Sequence, residues 1–257
     1  MRAPIDGQTA DLPAITADVL ARLRARAPRV HCITNAVAQA FTANMLLAAG
    51  AIPSMTIAAD EVGAFVARAD ALLVNLGTFD AERRAAVDAA IAAAGARVPW
   101  VLDPVFIDRA PPRAAYAKTL VAKAPRAIRL NAAEFGALSG PGDAAPADYA
   151  REHGTVVGLT GATDLVTDGN RHTGIANGHR LMGKVTAMGC AASALVAACL
   201  AVEPDAWRAT VAGLLAFGVA GEVAAERARG PGSLAVEIID ALHGLDRATL
   251  LKRGRAA

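Results

Sequence analysis

Cys190 ends the run Lys184-Val185-Thr186-Ala187-Met188-Gly189-Cys190, which leads straight into an alanine-rich apolar segment of helical character. A helix starting there offers unpaired backbone N–H groups and a partial positive charge, which suit a phosphoryl group in transfer. Gly189 supplies the backbone freedom for a sharp turn into that helix. The same field predicts a lowered thiol pKa and a thiolate at Cys190. A cysteine in an alanine-rich helix also reads as a small inert hydrophobe, and Cys199 is assigned to that reading.

Other candidates stand where apolar runs give way to turns. Asp103 closes the run Trp100-Val101-Leu102, where a carboxylate facing a cleft would help hold a magnesium ion through water; capping of the turn at Pro104 is the plainer reading. In Asn131-Ala132-Ala133-Glu134 the spacing fits a helix N-cap with its reciprocal acid three residues on. Arg129 just upstream gives the same residues a second reading, because a guanidinium and two carboxylates at neighbouring strand ends suit polyphosphate and magnesium. Thr34-Asn35, Gly77-Thr78 and Thr160-Gly161 occupy equivalent junctions. His31 and His179 read as polar groups near a cleft or as satisfied structural residues, and no histidine pair has metal-ligand spacing. The Walker phosphate loop, the Gly-x-Gly-x-x-Gly dinucleotide fingerprint and the Gly-x-Ser-x-Gly nucleophile elbow are all missing from the sequence.

These positions need a scaffold that brings strand ends together. Short apolar runs at 30–33, 52–55, 71–76, 100–103, 127–130 and 155–160 read as buried strands alternating with helical stretches. Segments 165–167 and 171–175 around Asp168-Gly169-Asn170 predict an edge hairpin. Three helical segments follow, at 190–202, 205–229 and 233–242, and these should cover one sheet face. The pattern predicts the α/β class, with a mostly parallel central sheet and helices on both faces. Ligands of such sheets bind at the carboxyl ends of the strands. The stretch 140–146 is the best linker candidate, but the pattern continues unchanged on both sides. One domain over residues 1–257 is therefore expected.

Composition narrows the partners. Hydrophobic residues make up 54% of the chain but aromatics only 4%, which favours closely packed helices on a sheet over a β-sandwich. A formal charge of +2 argues against a nucleic-acid surface, and the basic tail residues Lys252, Arg253 and Arg255 read as a solvated end. The apolar stretch 187–202 is shorter than the ~20 residues a membrane span needs, so no membrane is expected. Cys32, Cys190 and Cys199 form no paired framework, and Asp6 and Asp11 interrupt any signal-peptide layout, which makes the cytoplasm the expected location.

Taken together, several segments resemble the hydroxyethylthiazole kinase family of ribokinase-like kinases. They are VHCITNAVAQAFTANMLLAAGAIPSM (30–55), LVNLGTFD (73–80), LDPV (102–105), IRLNAAE (128–134), LTGATDLVTDG (159–169), KVTAMGCAASALVAA (184–198) and GPGS (230–233). The resemblance implies a single ribokinase-like domain that transfers the γ-phosphoryl group of ATP, with Mg2+, to the primary alcohol of hydroxyethylthiazole. It implies ATP contacts at Arg129 and Thr160, thiazole contacts at Met55, Ala187 and Asn35, and magnesium-associated acids at Asp103 and Glu134. Cys190 then stands beside the reacting hydroxyl, where many ribokinase-like kinases carry an aspartate base. A homotrimer with thiazole sites at subunit interfaces is implied as well.

The chain departs from the family pattern at three places. Ala187-Met188-Gly189-Cys190 stands where the family reads Gly-Thr-Gly-Cys, Phe106-Ile107-Asp108-Arg109 replaces a glycine-rich continuation after LDPV, and Leu130 replaces a glycine. Two further readings follow: a kinase for another heteroaromatic alcohol such as hydroxymethylpyrimidine, and a non-catalytic metabolite-binding protein on the same fold.

Overall fold

A computed structural model describes residues 11–140, 142 and 144–256. The expectation drawn from Asp6 lies outside the described residues, as do Pro141 and Asp143 of the linker candidate. Eight strands form one sheet: β1 (Arg29–Ile33), β2 (Ile52–Ser54), β3 (Ala71–Asn75), β4 (Trp100–Asp103), β5 (Ala127–Asn131), β6 (Val156–Thr160), β7 (Asp164–Thr167) and β8 (His172–Ile175). Their order is β2-β1-β3-β4-β5-β6-β7-β8. Strands β1 to β6 pair in parallel, and β7 and β8 are antiparallel additions at one edge.

The parallel strands are mostly apolar because helices cover both faces, with polar residues such as Asn75, Asp103 and Asn131 at their carboxyl ends. On one side lie α3 (Val62–Val66), α4 (Ala81–Ala94), α5 (Pro111–Val121), α6 (Ala132–Ser139) and α7 (Pro146–His153). On the other lie α1 (Leu12–Arg26), α2 (Gln39–Ala49), α8 (Met188–Leu200), α9 (Ala206–Arg227) and α10 (Pro231–His243), with α11 (Arg247–Arg253) closing the chain. Two hydrophobic cores result, one per face. The alanine content has a packing reason. A Cβ added to Gly213 of α9 would come 2.9 Å from the Val196 Cα of α8, so only small residues let these backbones approach so closely.

Two expectations change. α8 and α9 do cover the sheet, but α10 packs on α9 and α2 as a further layer. The basic tail is docked, since Ala256 bridges to Ile175, Arg255 pairs with Glu222 and Arg253 pairs with Glu226. Glu222 and Glu226 lie one turn apart on α9 and supply the charge that holds the tail down. Among the described residues α9 alone is long and apolar enough to cross a membrane, and 78% of its apolar window is buried inside the fold.

From β1 the chain passes through α2 to β2 on one side, then through α3 to β3 on the other. The carboxyl ends of β1 and β3 thus flank the switch point at which an open α/β sheet forms its ligand crevice.

Candidate active site

The predicted residues line up along the carboxyl edge of the sheet in strand order. Met55 follows β2, Asn35 follows β1, Asp103 ends β4, Arg129 lies on β5, Glu134 sits on α6 and Thr160 ends β6. The amino end of α8, with Ala187 and Cys190, comes to the middle of this row through its contacts with β1, β3 and β4.

At the switch point Asn75, the last residue of β3, ties the centre together. Its Oδ1 accepts from the Gly77 amide at 3.0 Å and from Asn35 Nδ2 at 3.1 Å. That fixes its amide orientation, so Nδ2 donates to Asp103 Oδ2 at 2.7 Å and to Cys190 Sγ at 3.3 Å. Asn35 Nδ2 lies 3.2 Å from the same sulfur. Ser193, one turn into α8, donates to Asp103 Oδ2 at 2.9 Å. Asn35, Asp103 and Cys190 are therefore brought together by Asn75 and Ser193.

The Cys190 thiol is 8% exposed, and burial pushes its pKa up to about 11, helped by the neighbouring Asp103 charge. Donors from Asn35 and Asn75 and the Arg129 charge pull the other way but do not win. This runs against the thiolate expected from the helix field: desolvation and the Asp103 charge both favour the neutral thiol. Both amide donors point at the sulfur, which leaves a thiol whose own proton is free to donate.

Asp103 has no solvent exposure, and burial raises its pKa to about 6 against the opposing pull of Arg129, Ser193 and Asn75, with Glu134 adding to the rise. Its Oδ1 is buried without a hydrogen-bond partner, an expensive state for a carboxylate oxygen. Arg129 faces it with a buried Nε that also has no partner, and Arg129 forms no ion pair among the described residues. An unpaired guanidinium near an unpaired carboxylate oxygen can receive an anion and a cation.

Glu134 forms the capping box expected from its spacing. Its Oε2 accepts from Asn131 N and its Oε1 from Phe106 N, each at 2.9 Å. Both readings of Glu134 are compatible, because each oxygen keeps a second lone pair. Phe106 presents that amide from a left-handed conformation with φ 56°, and its ring is 55% exposed. The Phe106–Arg109 segment therefore borders the Glu134 end of the row, three strands from Met55. Thr160 pairs in register with Asn131 and donates to the Leu130 carbonyl at 3.2 Å.

The turn into α8 is made differently from the sequence expectation. Ala187, not Gly189, is left-handed, with φ 67°, and it provides no side-chain cap. The first intrahelical bond runs from Ala191 N to Ala187 O, which leaves the amides of Met188, Gly189 and Cys190 facing outward. Gly189 is needed for a different reason: a Cβ there would lie 2.5 Å from Arg129 Nη1. The guanidinium rests on the bare Cα beside the helix start.

Asn75 and Ser193 were missed as members of this cluster. The available signal was a polar residue closing an otherwise apolar strand (Asn75) and a hydroxyl inside an otherwise apolar helix (Ser193).

Comparison with known proteins agrees with this architecture. The profile of the hydroxyethylthiazole kinase family matches residues 20–248. A hydroxyethylthiazole kinase of Granulibacter bethesdensis is 47% identical over 253 residues, covering 92% of each chain. The solved hydroxyethylthiazole kinase of Pyrococcus horikoshii OT3 superimposes with a TM-score of 0.90 at 35% identity, covering 95% of this chain and 98% of that one. A ribokinase-like superfamily protein of Enterococcus faecalis V583 shares the fold at a TM-score of 0.63 and 14% identity, over 96% of this chain and 92% of that one. On these matches, the chain belongs to the hydroxyethylthiazole kinase family.

Proposed function

We propose that this chain transfers the γ-phosphoryl group of ATP to the primary alcohol of 4-methyl-5-(2-hydroxyethyl)thiazole, giving the thiazole phosphate used to build thiamine. The observation that carries the reading is the pair of unsatisfied buried groups, Asp103 Oδ1 and Arg129 Nε, beside the uncapped start of α8. Phosphoryl transfer asks for positioning and for charge stabilisation, and this arrangement supplies both.

In this reading Arg129 and Thr160 hold ATP at the β5–β6 end, and the amides of Met188, Gly189 and Cys190 face the phosphoryl group in flight. Met55, Asn35 and Ala187 line the acceptor end. Asp103 and Glu134 fit a magnesium ion, which takes one or two carboxylates and completes its shell with phosphate and water. The bare Asp103 Oδ1 supports that fit. When bound, the ion neutralises charge on the polyphosphate.

Cys190 then acts as an orienting group. A thiol with a pKa near 11 does not take the acceptor proton at neutral pH. A loose transition state makes this tolerable, because the acceptor oxygen carries little positive charge until late. Cys190→Ala is expected to lose most turnover, and Cys190→Asp, which restores a base, to keep it. Unchanged turnover in the alanine variant removes Cys190 from the mechanism.

The single catalytic domain spans residues 1–257 in this reading. A homotrimer with interfacial acceptor sites is supported by exposed apolar residues around α2 and at the β2 edge of the sheet: Val37, close to Asn35, at 68%, and Leu47 and Ile52, toward the amino ends of β1 and β2, at 57% and 49% exposure. The three cysteines, free and buried, suit a reducing cytoplasm.

A further inference from the structure

His31 has no solvent exposure and takes no part in the phosphoryl-transfer centre. Its Nε2 lies 3.1 Å from the Thr56 carbonyl and its Nδ1 2.8 Å from Ser54 Oγ. A carbonyl can only accept, so Nε2 carries a ring proton. Burial disfavours the charged ring and pulls its pKa down, which leaves Nδ1 bare to accept from the Ser54 hydroxyl.

These two bonds straddle Met55. His31 and Ser54 are register partners on β1 and β2. Successive residues of an extended chain face opposite ways, so Ser54 and Thr56 turn toward His31 on the α3 side, where the Phe65 ring lies 5.8 Å away. Met55 is thereby turned to the α8 side, where it packs against the core cluster that contains Met188. Beyond it, Thr56 Oγ1 bonds Glu61 and accepts from Ala58 N, turning the chain toward α3. Only three residues of β2 pair with the sheet, so ladder bonds do not hold Met55 and Thr56. The imidazole supplies the missing tether.

We propose that His31 is a positioning residue that fixes the 54–56 backbone, so that Met55 forms a rigid wall for the heteroaromatic ring of the acceptor. This rests on the reading of Met55 as an acceptor contact. It implies that losing the tether weakens acceptor binding and leaves the nucleotide side untouched, because β5 and β6 are separated from β1 by two and three strands.

The test compares full-length wild type with His31→Leu, Ser54→Ala and His31→Gln. Steady-state kinetics with each substrate varied are combined with hydrogen exchange at residues 54–58. Loss of one hydrogen bond predicts an acceptor KM roughly five-fold higher in Ser54→Ala, and loss of both a larger rise in His31→Leu. The KM for ATP stays within about two-fold, since only the acceptor wall moves. His31→Gln, which keeps one donor and one acceptor, recovers part of the loss. Exchange at 54–58 quickens in His31→Leu and Ser54→Ala. Ser54→Ala alters no core residue and keeps the test alive where His31→Leu fails to fold. An unchanged acceptor KM, or a parallel rise in both KM values, overturns the tether. If the wild type does not phosphorylate the thiazole, the functional reading fails, and unchanged exchange in Ser54→Ala then overturns the tether independently.

Discussion

Asp103 is buried at the end of β4 with one oxygen bonded twice and the other bare. Its carboxyl is held at a pKa of about 6, against 3.8 for an ordinary aspartate. Holding it ionised above pH 6 costs on the order of 3 kcal/mol. A raised pKa stabilises the fold while the group is protonated, fully below pH ~4, and that contribution is lost as pH rises through about 6. Asp103→Asn is therefore expected to melt several degrees above wild type at pH 8 in chelator, with the gap closing below pH ~4 and activity lost throughout. Thermal melts across that range check it; a less stable variant at pH 8 contradicts the account. Stability given up at a buried acid is what a functional site is expected to show. The acid itself was legible in the sequence from its place at a strand end. The tie through Asn75 was not, because polar residues at neighbouring strand ends meet only once the register of β1, β3 and β4 is set.

At the level of elements, the helix starts and strand ends were readable from apolar runs punctuated by turn residues. Hence β4 has its expected bounds and the other parallel strands differ by about a residue. The Ala187–Cys190 turn was misassigned because local sequence assigns conformational freedom to glycine by default. Here the left-handed position is taken by Ala187, while Gly189 makes room for Arg129. The two residues are separable by mutation. Ala187→Gly relieves a left-handed alanine and should raise stability by up to about 1 kcal/mol without moving the KM for ATP. Gly189→Ala adds a good helix former, so its melting temperature should not fall. It displaces the guanidinium, however, and should raise the KM for ATP roughly ten-fold, the scale of a charge-assisted hydrogen bond. Melting curves with ATP titrations decide the matter, and an unaltered KM in Gly189→Ala removes the Arg129 contact.

For the whole molecule, the order β2-β1-β3 sets the crevice at the β1/β3 boundary, and along the edge of strand ends the proposed function assigns an acceptor side at β1 and β2 and a nucleotide side at β5 and β6. Periodicity alone gave the class; strand order was beyond it, since nothing local distinguishes a strand added to one edge from one added to the other. The order came only with the structure. The resemblance supplied the trimer, which makes its own prediction: light scattering should give three subunits, and Val37→Glu combined with Leu47→Glu should give inactive monomers. A fully active monomer would contradict interfacial sites.

The most direct test of the account is ADP release from ATP and magnesium in the presence and absence of hydroxyethylthiazole. Release that depends on the alcohol, with one phosphorylated thiazole formed per ADP, is the predicted result. ADP release no greater with the thiazole than without it would contradict the account.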